Sequence, residues 1–176
     1  MFSVTETAAL TGLEERAVRK EVESDVIHAG SPPQFDEEAL VYLRATAALP
    51  LSLDARRRLY GEIRAAMTGH VAELQFGPWS LALGSLAAEV HALAEAFVAW
   101  RDARIETRMD VLAGEPAFRG TRLAVRHVGG MMEHGAPVEE ILEDYPYIDA
   151  NDIAFARLYT VAYPKIGRPR AQAPAG

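Results

Sequence analysis

Arg119 and Arg122 stand three residues apart in the run Gly114-Glu-Pro-Ala-Phe-Arg-Gly-Thr-Arg-Leu-Ala-Val125. A guanidinium is a rigid fork of N–H donors that matches a phosphate or a carboxylate. Gly114, Pro116 and Gly120 favour a shaped turn or short hairpin over a core strand. Proline fixes one φ, and glycine admits backbone shapes that other residues resist. Two readings stay open: arginines that meet nucleic-acid phosphate or a partner's carboxylates, and arginines that are solvated or cap helix carbonyls. Arg16, Arg19 and Lys20 form a second basic group, Arg56-Arg57-Arg58 with Arg64 a third, and Arg168 with Arg170 a fourth. The third reads as a solvated helix face or as a phosphate-contacting patch.

Other chemistry finds little support. His127 and His134 lie seven apart with no carboxylate at ligand spacing, a weak metal signal. No nucleophile-elbow, Walker or dinucleotide glycine motif is present. With no cysteine, disulfides and thiolate metal sites are excluded. No enzyme activity, metal or cofactor is expected.

The 176 residues suffice for one sizeable core or two small domains. No run of 18 apolar residues exists, so no membrane span is expected. Met1-Phe-Ser-Val-Thr-Glu6 lacks the layout of a signal peptide, and a cytoplasmic location is expected. The net charge of −7 is uneven: residues 1–48 hold 4 Lys/Arg against 9 Asp/Glu. Such an acidic chain is a poor non-specific nucleic-acid binder, so any DNA contact must come from local basic clusters or a dimer that joins them.

The elements that must position these groups are mostly helical, giving an α+β expectation. Ser3 and Glu6 fit a capping box before a short helix, about 5–10, with residues 8–10 inward. Gly12 suits a left-handed turn. A second helix over 14–23 places Val18 and Val22 on one face. Together these read as a helix-turn-helix over residues 1–48. Val26-Ile27 and Gln34-Phe35 read as a small wing, and Asp36 caps a third helix through Leu40, Leu43 and Leu49.

Residues 49–103 read as a connecting unit. Ser52 caps a helix over 53–67, residues 71–76 and 79–83 form a hairpin about Gly77-Pro78, and Gly84-Ser85 opens a long helix. Leu86, Val90, Leu93, Phe97 and Trp100 make an apolar stripe on it, suited to an internal core or a homodimer seam. Residues 104–166 form a third unit. A strand is expected over 105–111, then helices over 125–133, 138–144 and 150–162. Tyr145-Pro146 stops the second of these, and Asp149 caps the last. Ile153, Phe155 (or Ala156), Leu158 and Val161 are its expected apolar positions. Gly129-Gly130 is expected to permit close packing. Residues 167–176 read as a flexible tail.

Two resemblances follow. The order of parts in residues 1–48 resembles the head of a MerR-type winged helix. It implies that Arg16, Arg19 and Lys20 face DNA, although Glu14, Glu15, Glu21 and Glu23 share that helix. Asp110-Val-Leu-Ala-Gly-Glu-Pro-Ala-Phe-Arg-Gly-Thr-Arg-Leu-Ala-Val125, then Gly135-Ala-Pro-Val-Glu-Glu-Ile-Leu142 and Tyr145-Pro146, closely resembles the family called domain of unknown function 433. That resemblance implies a VapB-like antitoxin of a type II toxin–antitoxin pair. Such a protein neutralises a PIN-type ribonuclease, represses its own operon as a homodimer, and uses no membrane. Operator contact is expected of Arg16, Arg19 and Lys20, of Arg56 and Arg57 on the basic helix face, and of Arg119 and Arg122, for which the toxin is the competing partner. Arg168 and Arg170 would insert into the toxin's acidic pocket. The other function these features suit is a stand-alone helix-turn-helix transcription regulator without a toxin.

Overall fold

The computed structural model describes residues 1–164. Arg168 and Arg170 lie outside the described residues. The fold is α+β and mostly helical, with two small antiparallel strand pairs.

Helix α1 spans Val4–Thr11 and begins on a closed capping box. The Ser3 hydroxyl accepts from the Glu6 N–H, and the Glu6 carboxylate accepts from the Ser3 N–H at 2.9 Å. Gly12 ends the helix at φ 74°, which a side chain would resist. Helix α2, Glu15–Glu23, buries only Val18. Helix α3, Glu37–Thr46, is capped by Asp36 and buries Ala39, Leu40, Val41, Tyr42 and Leu43 in succession. A run buried that way belongs to a helix enclosed on most sides.

Helix α4, Leu53–Thr68, starts on the Ser52 cap and buries Leu59, Tyr60, Ile63 and Ala66. Strands β1, Leu74–Phe76, and β2, Trp79–Leu81, pair about Gly77-Pro78, with Phe76 opposite Trp79. Helix α5, Leu83–Arg104, is the longest of those described. Val90, Phe97 and Trp100 of its stripe are buried inside the chain, with Leu86 and Leu93 half-buried.

Strand β3, Ile105–Glu106, pairs with β4, Ala117–Phe118. Between them, Leu112–Gly114 forms one 3₁₀ turn. After β4 the chain reverses at Gly120, and Ala117 bridges Ala124. Helices α6, Val125–Glu133, α7, Val138–Asp144, and α8, Ala150–Ala162, complete the fold.

Several elements differ from expectation. The alternation over 105–111 yields only two strand residues, because β4 offers only two partners. Met109 is 80% exposed, and Leu112 and Ala113 hold positive φ. No wing hairpin forms: Phe35 pairs with Phe2, while Val26 and Ile27 sit in turns whose N–H groups donate to the Glu21 carbonyl. Leu49 lies beyond the end of α3. The first hairpin strand covers 74–76 rather than 71–76, and Leu83 belongs to α5.

On α8 the inward row is Ile153, Ala156, Tyr159 and Ala162, while Val161 is 47% exposed. Ala156 and Thr160 of α8 face α6, and Gly129 decides how near the two helices come. A Cβ built on Gly129 would stand 2.0 Å from the Thr160 hydroxyl and 2.7 Å from the Ala156 carbonyl oxygen. The carbonyl cannot swing aside as a side-chain tip could.

One apolar cluster runs from Phe2 to Ala162. Polar ties cross it. Arg44 donates to Glu89 at 2.6 Å, linking α3 to α5. The Tyr163 hydroxyl donates to Glu6 at 2.5 Å, and Arg101 donates to both Glu6 and Tyr163. Burial works to raise the Glu6 pKa, but Tyr163, Ser3 and Arg101 outweigh it and the net shift is downward. Burial and Glu6 together push the Tyr163 phenol up to about 12.

Gly129→Ala is expected to cost about 1–3 kcal/mol in denaturant unfolding. Gly130→Ala, where a Cβ meets nothing within 4 Å, is expected to be neutral or to stabilise by up to ~1 kcal/mol. Equal effects at both positions would refute the close-packing account.

Candidate functional site

The basic groups read from the sequence divide into those the fold uses and those it leaves outward. Arg119 is used. Its Nε donates to the Ala103 carbonyl at 2.8 Å, and its Nη2 to those of Asp102 and Ile105 at 3.0 and 3.1 Å. The fork therefore caps the C-terminal end of α5, where unpaired carbonyls and the helix dipole favour a cation. Arg56 donates to Glu21 at 2.5 Å, half-buried, and Arg57 donates to the Ser24 and Asp25 carbonyls. Both tie α4 to the end of α2. Arg58 lies over Phe76 and Arg64 over Tyr60.

Arg16, Arg19 and Lys20 are exposed on α2 and line one shallow depression with Glu14 and Glu23. Arg19 bonds Glu15 at 3.1 Å in an exposed pair, which contributes little in water. Arg16 and Lys20 make no hydrogen bond or ion pair among the described residues.

Arg122 is exposed and lies elsewhere, in an open cleft of about 930 Å³. Arg126, His127, Tyr145, Tyr147 and Glu133 also line it. Both Nε and Nη2 of Arg126 donate to the Tyr163 carbonyl, at 2.9 and 2.7 Å. His127 meets Tyr145 edge-on, and Tyr145 meets Tyr147 in the same way. With Glu115 and Glu133 among the walls, the cleft has mixed charge. Pro164, the last described residue, also lines it.

Residues 105–160 match the family described as "Protein of unknown function (DUF433)". The "Uncharacterized protein y4eO" of Sinorhizobium fredii (strain NBRC 101917 / NGR234) is 43% identical over 61 residues, which is 35% of this chain and 28% of that protein. The chain thus matches well under a third of that relative's length. No solved structure matches the chain. The walls of the cleft, Pro164 apart, fall inside the family segment, whereas α2 falls outside it. Among the described residues no helix is long and apolar enough to cross a membrane, and no cluster of three or more His, Asp or Glu is arranged to hold a metal ion.

Sequence reasoning missed the group at the hub of that segment. Asp152, an acid near the start of α8, is only 1% exposed. The Trp100 indole donates to its Oδ1 at 2.8 Å, and Arg104 grips both carboxylate oxygens, through Nε at 2.8 Å and through Nη2. It also closes a capping box with Asp149. Burial works to raise its pKa, but Arg104, Trp100 and the Asp149 backbone lower it on balance. The capping spacing Asp149-x-x-Asp152 was the available signal; the partners on α5 had none.

Stability from Asp152 is present above the unfolded pKa near 3.8 and is lost as pH falls through the lower folded value. Asp152→Ala is expected to cost about 1–3 kcal/mol at pH 7, because it leaves the indole N–H buried without its acceptor. The cost is expected to shrink below pH 3 in thermal unfolding. A pH-independent cost would contradict a role for the ionised carboxylate.

Proposed function

We propose that this chain is the antitoxin of a type II toxin–antitoxin pair, acting in the cytoplasm. It binds operator DNA through a helix-turn-helix made of α1, the Gly12 turn and α2. It neutralises a PIN-type ribonuclease through its C-terminal region, and its repression is that of a homodimer. The observation that supports DNA contact is the posture of α2. Only Val18 is buried, and Arg16, Arg19 and Lys20 face solvent. A helix held by one face leaves the other free to enter a major groove.

Arg56, Arg57 and Arg119 take positioning roles in this reading. The first two hold α2 in place, and the third fixes the end of α5 beside the family segment. Arg122, which makes no hydrogen bond among the described residues, is the candidate of that loop for a partner's carboxylate or phosphate. Arg168 and Arg170 lie outside the described residues. They remain proposed to meet the acidic pocket of the ribonuclease, where a metal-holding carboxylate cluster would attract a guanidinium.

The test is binding to the DNA upstream of the chain's own coding sequence. Arg16→Ala, Arg19→Ala and Lys20→Ala together are expected to weaken binding across all sequences. They are expected to flatten the slope of log affinity against log salt by about 1 per lost phosphate contact. Unchanged affinity and slope in the folded triple variant would refute contact by α2.

A further inference from the structure

We propose, resting on the functional reading of α2, that Glu21 is a positioning residue for DNA recognition. It fixes the posture of α2 against α3 and α4, and with it the sequence selectivity of binding. An acid on a helix that also carries Arg16, Arg19 and Lys20 is expected to repel phosphate. Glu21 is placed otherwise. Val18, Glu21 and Val22 stand at i, i+3 and i+4, which is one face of a helix. All three are buried or half-buried, whereas Arg16, Arg19, Lys20 and Glu23 are exposed. The Glu21 side chain is only 13% exposed.

Its carboxylate accepts from two other helices. The Tyr42 hydroxyl of α3 donates to Oε2 at 3.0 Å, and Nη1 of Arg56 on α4 donates to Oε1 at 2.5 Å. Tyr42 is fully buried, and burial together with the Glu21 charge pushes its phenol pKa up, which keeps it a donor. The Glu21 backbone carbonyl takes the N–H groups of Val26 and Ile27, at 2.9 and 3.2 Å. One residue thus joins α2 to α3, to α4 and to the turn that follows it. At the other end of α2, Glu14 makes no side-chain cap bond. The apolar contact of Val18 is non-directional and leaves α2 free to rotate about it. Hydrogen bonds have preferred angles, so the Glu21 hub sets that rotation. Base edges are read only by side chains aimed at them, whereas attraction to phosphate tolerates tilt. A mere surface acid would weaken binding to every sequence. A positioning acid strengthens binding to the right one.

The test compares the DNA upstream of the coding sequence with a scrambled duplex of equal length. Full-length wild type, Glu21→Gln and Tyr42→Phe are used, each checked for folding by circular dichroism. Both variants are expected to lose about tenfold in the ratio of upstream to scrambled affinity, with the salt slope on the scrambled duplex unchanged. Hydrogen exchange without DNA is expected to quicken at the amides of Ser24, Val26 and Ile27, which donate to α2 carbonyls. Tighter binding of Glu21→Gln to both duplexes would overturn the proposal, since that is the mark of a repelling surface acid. An unchanged affinity ratio, or unchanged exchange, in the folded variants would overturn it as well. A wild-type chain that does not discriminate between the duplexes would refute the functional reading and the selectivity claim with it. The exchange result then still decides whether Glu21 holds α2.

Discussion

The Asp152 carboxylate is the interaction on which the C-terminal half depends. A buried charge persists only if its lone pairs are met, and here an indole N–H, an arginine fork and a capping backbone meet them. Because the donors sit on α5 and the acceptor opens α8, the bond fixes the start of one helix against the end of the other. Arg119 closes the same end of α5 from the opposite direction, by capping its carbonyls. The chain then enters β3, and β3 sets the loop that leads to α6. Gly129 brings α6 against α8, and α1 packs on α8 through the Glu6, Tyr163 and Arg101 cluster. Each contact supports the next, and α2 stands outside this framework, anchored by Val18 and by Arg56 and Arg57 of α4.

That division gives the functional proposal its physical form. The arginines that brace the fold are those whose forks meet helix carbonyls or a half-buried glutamate. Arg16, Lys20, Arg122 and Arg157 make no hydrogen bond, ion pair or ring contact among the described residues, and they line three different depressions. The functional proposal assigns the α2 surface to DNA and the cleft of Arg122 to a protein partner. The cleft around Arg122, Pro164 apart, falls within the matched segment 105–160, while α2 falls outside it.

Much of the fold was legible in the sequence because the deciding signals are local. Ser3, Asp36, Ser52 and Asp149 name their helix starts through one side chain and one N–H three residues on. Gly12 names its turn, and Tyr145-Pro146 its stop. What failed depended on distant partners. The alternation over 105–111 looks like a strand, but pairing was limited by how much of β4 was available. On α8, Leu158 and Val161 fit an apolar stripe as well as Ala156 and Tyr159 do. Gly129 and Thr160, on different helices, decide between them. Arg56, Arg57, Arg119 and Asp152 resemble any surface charge until the chain brings their partners from 14 to 52 residues away.

The central proposal is that this chain silences a ribonuclease, and the direct measurement is RNA cleavage by any small PIN-type nuclease encoded beside its coding sequence. The proposal predicts that purified full chain abolishes cleavage near stoichiometric ratio and co-elutes with the nuclease as one complex. Cleavage unaffected by a large excess of folded chain, with no complex formed, would contradict it and leave a DNA-binding regulator without a toxin.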